Sequence, residues 1–426
     1  MRVLVIGSGG REHTLVWKIN QNPAVDKIFA MPGNGGTDTL AENVPINPLH
    51  LDEVASFAEE MSVDLTVVGP EAPLVAGLAN ELSRRGLKVF GPLKEAALIE
   101  GSKVFAKNLM EKYGIPTAQA EVFDNFEKAR EYLKEADFPL VVKADGLAGG
   151  KGATVCETLS QAEAALKSCL VAKKFGSAGE RVIVEEFLEG EEISFFALSD
   201  GESVLPMLTA QDYKRVFDND EGPNTGGMGS FSPAPFADDS FEERVMKEII
   251  LPTIDALKNE GSPYQGVLYG GLIVTPDGPK VLEFNCRFGD PESQAMLPLL
   301  QSDLLEVMLA VVEGNLRNYQ LNWLAEKCVV VVAASQGYPG HYETGFEIKG
   351  LEVVEKMRGV EVFHAGTQRV DGKLVTNGGR VLNVSARGSS YQEAVELVYQ
   401  ALSHIQFQGI HYRRDIGLKA VNFKEG

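Results

Sequence analysis

The sequence predicts an α/β protein with an N-terminal parallel-sheet domain and a separate C-terminal α+β domain. Three observations predict it. Short apolar runs alternate with helical segments through the first hundred residues, paired strands around glycine loops take over from about residue 120, and several short strands with one helix follow residue 328. The 426 residues suffice for about three domains at roughly 150 residues each. Hydrophobic residues at 44% and charged ones at 23% exclude a disordered or fibrous chain.

Apolar runs at 3–6, 27–30, 65–68 and 88–90 read as strands, and 11–20, 51–60 and 74–85 as the helices between them. That alternation implies right-handed crossovers and ligands at the carboxyl ends of the strands. A helix at 102–112 is stopped by Gly114 and Pro116. Strands at 140–144 and 153–156 then bracket a glycine loop, and 181–186 and 193–198 follow. Residues 199–236, rich in Gly, Pro, Asn and Asp, read as an irregular segment long enough to be functional. Strands at 266–275 and 280–288 are joined by the turn Pro276-Asp277-Gly278. The tail has strands at 329–334, 361–364 and 381–386 and a helix at 391–403.

Forty basic against sixty acidic residues leave a net charge of −20, which argues against nucleic acid or an anionic membrane as partner. A small phosphorylated ligand is not excluded, since it needs only local cations and backbone amides. Cys156, Cys169, Cys286 and Cys328 are scattered without metal-ligand spacing, as expected of reduced thiols. The apolar run after Met1 breaks at Gly7, too short for a signal peptide, and no apolar stretch approaches the ~20 residues of a membrane span. A cytoplasmic location is expected.

Gly7-Ser8-Gly9-Gly10 follows the first strand and opens a helix, a place where backbone N–H groups can hold an anion. A dinucleotide fits poorly, because Glu12 stands where the third fingerprint glycine belongs and no acidic residue follows the second strand. A phosphate or phosphosugar and a purely structural turn stay open. Gly69-Pro70-Glu71, after the third strand, is expected to face the same crevice. The second glycine cluster runs from Lys143 to Gly152. It is no Walker A loop: Asp145 and Gly152 stand at required Gly and Ser/Thr positions, and a strand follows instead of a helix. A glycine hairpin with a lysine at each end suits a flap over a triphosphate, and a flexible surface hairpin is the alternative. In the run 184–192, backbone near Glu186–Leu188 suits an adenine edge and Glu192 a ribose, or the run is a solvated acidic surface.

In 282–292, strand alternation puts Glu283, Asn285 and Arg287 on one face. A carboxylate and an amide oxygen two residues apart suit a hard cation such as Mg²⁺, and an adjacent arginine suits a carboxylate or phosphate. The six histidines have no metal-ligand spacing, and Ser8 and Ser230 lack the partners of a hydrolase triad. The loops 211–215 and 225–230 suit closure over a small substrate.

Taken together, residues 5–13, 69–74, 143–152, 211–215, 225–230, 376–380 and above all Arg287-Phe288-Gly289-Asp290-Pro291-Glu292 resemble the glycinamide ribonucleotide synthetase (phosphoribosylamine–glycine ligase) family of the ATP-grasp superfamily. The resemblance implies a Rossmann-like pre-ATP-grasp domain over 1–101, an ATP-grasp domain over 102–327 with a lid at about 120–190, and a C-terminal domain over 328–426. It suggests the stand-alone bacterial form and a monomer. The implied reaction joins glycine to 5-phosphoribosylamine at the expense of ATP, through a glycyl phosphate, as the second step of purine synthesis. The resemblance places Lys103, Lys143, Gly149, Gly150, Lys151, Glu185, Glu186, Leu188 and Glu192 on ATP, and Gly9, Gly10, Gly69, Pro70 and Glu71 on the substrate phosphate. Asp212 and Arg287 are implied for glycine, Arg287, Lys151 and Asp212 for catalysis, and Glu283 and Asn285 for Mg²⁺ or Mn²⁺. The strand at 269–272 lacks the extra acidic metal ligand of many relatives. Two rivals share the nucleotide half: a biotin-carboxylase-type or other purine-pathway enzyme, and a nucleotide sensor without turnover.

Overall fold

The computed structural model describes residues 1–149 and 152–423. Strands Arg2–Gly7, Lys27–Pro32, Glu42–Asn43, Leu65–Val68 and Val89–Phe90 form a five-stranded parallel sheet with Arg2–Gly7 at its centre. Val3, Leu4, Val5 and Ile6 are all buried, the continuous apolar run of a strand covered on both faces. The crevice at the carboxyl ends opens where the strand order reverses, between Arg2–Gly7 and its neighbours. Helices Gly10–Ile19 and Leu51–Glu60 lie near their expected positions. The helix expected at 74–85 is two, Glu71–Ala76 and Leu78–Arg84, because Gly77 takes a left-handed φ of 100° that ends the first.

Strands Ala120–Phe123, Val182–Glu186, Leu140–Ala144 and Ala153–Cys156, in that order, make an antiparallel sheet. Helices Phe126–Leu133 and Leu159–Leu166 back it, with a core of its own that includes Leu140, Val142, Leu166 and Val184. A second antiparallel sheet is ordered Val204–Pro206, Glu191–Asp200, Gln265–Thr275, Gly278–Asn285. The strand expected at 280–288 thus stops at Asn285. The reason is local: Cys286 N donates to Glu100 Oε2 at 2.7 Å instead of to a neighbouring strand.

The segment 199–236 is not irregular; it contains Val204–Pro206, Gln211–Asp212, Arg215–Phe217, Glu221–Asn224 and Gly229–Ser232. Two of these strands join the C-terminal sheet, ordered Gln211–Asp212, Gly229–Ser232, Lys327–Ser335, Arg380–Gly388, Val360–His364, with Ile410–His411 also on Lys327–Ser335. The expected C-terminal α+β domain therefore shares its sheet with residues far upstream, and hydrophobic patterning could not reveal this because the donated strands are only two and four residues long. Among the described residues no helix is long and apolar enough to cross a membrane.

Candidate active site

Arg287 lies just past strand Gly278–Asn285, and the folded chain brings it two distant carboxylates. Its guanidinium is 3.0 Å from Glu100 and 3.3 Å from Glu71, donates to Asn285 Oδ1 at 2.9 Å and to Phe288 O at 3.2 Å, and lies 6.0 Å from the centre of the Tyr269 ring. Burial opposes the charge on Arg287, yet Glu100 and Glu71 overcome this and raise its pKa. Burial pushes the Glu100 carboxyl up, against the pull of Arg287. Burial also works to raise Glu71, but Arg287 and Arg11 outweigh it and hold that carboxyl below its usual value. Asn285 and Arg287 are thus joined. The ladder slips between Gly271 and Leu272, so Leu282 is an extra residue, but from Glu283 to Asn285 the register is regular and these two share a strand face as expected. The Glu283 carboxylate is exposed, without a partner among the described residues.

Asp212, on strand Gln211–Asp212, ends beside Lys214, whose Nζ is 3.3 Å from Asp212 Oδ1 and 2.5 Å from Glu192 Oε2. Burial, with Glu292 and Glu192 adding to it and Lys214 opposing, pushes Asp212 up to about 6. Lys214 acts oppositely on Glu192 and holds it below its usual value against burial. Gln211 Nε2 donates to Glu192 O at 2.7 Å and fixes the two strands together. Glu292 opens helix Glu292–Met296 and is buried, accepting from Tyr269 Oη at 2.8 Å and Ser194 Oγ at 3.1 Å.

The lid sheet brings its lysines inward. Lys143 Nζ is 2.6 Å from Glu185 Oε2 and donates at 3.0 Å to Leu282 O, the carbonyl of the bulged residue, so it spans from lid to central sheet. Glu185 also takes Lys107 at 3.0 Å, and its backbone is paired on both sides of the lid sheet. The carboxylate of Glu185 is therefore turned into the fold, while Glu186 is exposed, accepting from Gln119 N at 2.9 Å, and Leu188 is half-buried. Lys103 donates to Gly146 O at 2.9 Å, and Asp145 accepts from Ser102 Oγ and Val104 N at the start of helix Lys103–Tyr113. Gly149 is an exposed turn residue. Gly150 and Lys151 lie outside the described residues.

The anion cradle expected at Gly9 and Gly10 is largely filled by the protein itself. Gly9 N donates to Glu12 Oε2 at 2.6 Å, and Arg11 N donates to Asp290 Oδ2 at 3.3 Å. Gly10 is packed inside, where a Cβ would fall 2.2 Å from Asn383 Nδ2 and 2.6 Å from Gln294 Nε2. This close approach by itself requires a glycine at position 10. Gly69 is likewise pressed against Glu12. Pro70 caps helix Glu71–Ala76, and Glu71 turns to Arg287. What remains open is a cleft of about 760 Å³ between the N-terminal crevice and the C-terminal domain, lined by Ser8, Gly9, Asn34, Thr367, Arg369 and Arg380 among others. Arg380 fixes its floor, donating to Gly226 O at 2.6 Å and Asp290 O at 2.8 Å with its charge 3.2 Å from Asp290.

The sequence reading missed Glu100, Tyr269, Ser194 and Lys107, none of which stands in a recognisable spacing. Glu292 and Lys214 sat inside quoted motifs without being singled out. A charged residue on an otherwise apolar helical face, as Glu100 is among Ala96, Ala97 and Ile99, was the one available signal.

A lid of antiparallel strands tied to a second antiparallel sheet, with Lys143 of the one donating to the Leu282 carbonyl of the other, is the architecture of an ATP-grasp enzyme. The fold extends to a biotin carboxylase domain from Hydrogenobacter thermophilus, 16% identical with a TM-score of 0.72 over 96% of this chain and 91% of that one. Family models for the phosphoribosylglycinamide synthetase N domain, ATP-grasp (A) domain and C domain match residues 1–100, 101–293 and 328–419, and the chain belongs to that family. It is 52% identical over 416 residues to a phosphoribosylamine–glycine ligase of Caldanaerobacter subterraneus subsp. tengcongensis, covering 98% of this chain and 99% of the relative. A relative of the same name from Vibrio parahaemolyticus is 49% identical, covering 99% of each. The crystal structure of a phosphoribosylamine–glycine ligase from Thermotoga maritima superposes with a TM-score of 0.86 at 34% identity, over 97% of this chain and 100% of that one.

Proposed function

We propose that this protein ligates glycine to 5-phosphoribosylamine with ATP, giving glycinamide ribonucleotide, ADP and phosphate, the second step of purine synthesis. The observation that carries the reading is Arg287, a half-buried cation next to Asn285 and against the Tyr269 ring, whose hydroxyl donates to Glu292 and which also feels the Asp212 charge. Such an arrangement suits a zwitterion, with a carboxylate toward Arg287 and an ammonium toward Asp212.

Glycine's carboxylate is a poor electrophile. Its oxygen attacks the γ-phosphorus in line, the bond to the ADP oxygen breaks, and glycyl phosphate results. The phosphoribosylamine nitrogen then attacks the carbonyl carbon, loses a proton, and phosphate leaves. Arg287 holds the carboxylate end, and Lys103, Lys143 and Lys151 offset the triphosphate charge, so that positioning and electrostatics supply most of the acceleration. Glu186 and Leu188 present backbone to the adenine edge, with Glu185 bracing the lysines behind them, and Glu192 reaches the ribose. Gly149 and Gly150 let the hairpin approach the phosphates and keep water from the acyl phosphate. The cleft at Ser8 and Gly9 receives the phosphoribosyl group, with Gly10, Gly69 and Pro70 as its backbone support and Glu71 between it and Arg287.

Glu283 and Asn285 fit a hard divalent cation, Mg²⁺ or Mn²⁺. Glu283 is an exposed carboxylate with no partner among the described residues, and the Asn285 oxygen has a lone pair beyond that used by Arg287. No group of three or more His, Cys, Asp or Glu able to hold a metal occurs among the described residues, in keeping with a cation that keeps waters and borrows phosphate oxygens. When bound, such a cation polarises the γ-phosphate. The protein acts as a cytoplasmic monomer on small molecules, with no nucleic-acid or membrane partner.

The test is phosphate release with ATP, freshly generated phosphoribosylamine, and glycine or bicarbonate. Release with glycine alone is expected. Release with bicarbonate, or none beyond the ATP blank, overturns the reading.

A further inference from the structure

We propose that Glu292, held in place by Tyr269 and Ser194, receives the ammonium group of the amino-acid substrate and makes the site demand an α-amine. This rests on the ligase reading above and adds a specificity-determining residue to it.

Glu292 is 3% exposed. Its Oε1 accepts from Tyr269 Oη at 2.8 Å and Ser194 Oγ at 3.1 Å, and the two hydroxyls are themselves 2.9 Å apart. Both come from neighbouring strands of the central sheet, where Ser194 faces Gly271 and Tyr269 faces Phe196, so the carboxylate is braced from two hydrogen-bonded strands. Its other oxygen, Oε2, has no hydrogen-bond partner among the described residues. It rests against Gly289, where a Cβ would lie only 2.4 Å away, so a side chain at 289 would displace it.

A carboxylate taken this far from water needs a cation. Arg287 and Arg380 act on it from a distance, but among the described residues no cation lies within 4 Å of it. Arg287 stands across the Tyr269 ring and is already matched by Glu71 and Glu100. Lys214 is shared between Glu192 and Asp212. Lys214 thus serves two carboxylates, and Glu292 acts on Asp212 as a further negative charge, so this side of the pocket can take another cation. A ligand that brings an ammonium group supplies it, and one that brings a hydroxyl does not. The Tyr269 ring then separates the two ends of the zwitterion, its face toward Arg287 and its hydroxyl toward Glu292.

The experiment measures glycine KM, ATP affinity by calorimetry and melting temperature for wild type, Glu292→Gln and Tyr269→Phe. It also measures hydroxylamine trapping of the acyl phosphate with glycine against glycolate, the hydroxy acid of the same size. Glu292→Gln is expected to raise glycine KM by ~30-fold or more, the scale of a lost buried charge pair, with ATP affinity unchanged. Its preference for glycine over glycolate is expected to collapse. Tyr269→Phe, which keeps the ring beside Arg287 and removes one hydroxyl, is expected to raise glycine KM several-fold at wild-type ATP affinity. If Glu292→Gln does not melt cooperatively, Tyr269→Phe decides alone. Unchanged glycine KM in the folded variants, or an intact glycine preference in Glu292→Gln, overturns the assignment while leaving the ligase reading standing. A wild-type enzyme inactive with glycine overturns both.

Discussion

Arg287 and Glu71 are 216 residues apart in the chain and 3.3 Å apart in the fold, joining the strand edge of the central sheet to the rim of the N-terminal crevice. Glu100 joins them from helix Lys94–Gly101, almost wholly buried. One cation therefore neutralises two carboxylates from two parts of the chain, and its removal has structural as well as chemical consequences.

Arg287→Met is expected to lose glycine-dependent turnover and to cost about 3–5 kcal/mol of stability, because Glu100 is left buried without its counter-charge. The loss depends on pH. Glu100 has a raised pKa in the folded state, so the folded protein binds more protons than the unfolded chain, and stability falls as pH rises from the ordinary carboxylate range through the folded pKa. The gap in melting temperature between wild type and variant is expected to widen from pH 5 to pH 8. A gap that narrows on going alkaline contradicts this role for Glu100.

Asp212 titrates near 6, far above an ordinary aspartate, because of its burial and its carboxylate neighbours. It must be ionised to help hold an ammonium, so kcat/KM for glycine is expected to fall as pH drops through about 6. The same raised value means the charged form is disfavoured in the fold, and stability is lost as pH rises from the unfolded value of 3.8 to about 6. Asp212→Asn is therefore expected to melt higher than wild type above pH 6 while using glycine poorly. A wild-type acid limb retained in Asp212→Asn contradicts the assignment.

Glu283→Gln separates chemistry from folding. The side chain is exposed and has no partner among the described residues, so the unfolding free energy is expected to change by no more than about 0.5 kcal/mol, the scale of surface substitutions. Activity is expected to fall at least ~100-fold and the Mg²⁺ concentration for half-activity to rise, since a neutral ligand weakens a hard cation. Undiminished turnover at low Mg²⁺ removes Glu283 from the metal site.

Gly10→Ala tests whether this glycine serves packing or phosphate. The added carbon meets Asn383 and Gln294 at 2.2 and 2.6 Å, so a loss of about 1–3 kcal/mol in stability is expected. Product binding to the fraction that stays folded is expected to be near normal. Normal stability with weakened product binding returns Gly10 to the phosphate site.

What the sequence reveals here follows from the range over which each signal acts. Alternation along a single strand brings out Glu283, Asn285 and Arg287, and the apolar run 3–6 brings out the central strand of the N-terminal sheet. The bulge at Leu282 is invisible to such patterning, but it falls before Glu283 and leaves the alternation of Glu283 with Asn285 intact. The helix break at Gly77 is local, a glycine in the left-handed region that apolar periodicity overlooks, whereas the filling of the first helix's N-terminus by Asp290 comes from 279 residues away. Tyr269 and Ser194 look like ordinary strand residues until the fold sets their hydroxyls on Glu292.

The strands Gln211–Asp212 and Gly229–Ser232 hydrogen-bond into a sheet whose other members lie beyond residue 326. On the ribosome, the partner strand of Asp212 is made early, but Gly229–Ser232 has no second neighbour until Lys327–Ser335 has emerged. The sheet that carries Asp212 at its edge is therefore completed only when the C-terminal part of the chain is made. A product cut before Lys327 would leave Asp212 on a two-stranded ladder.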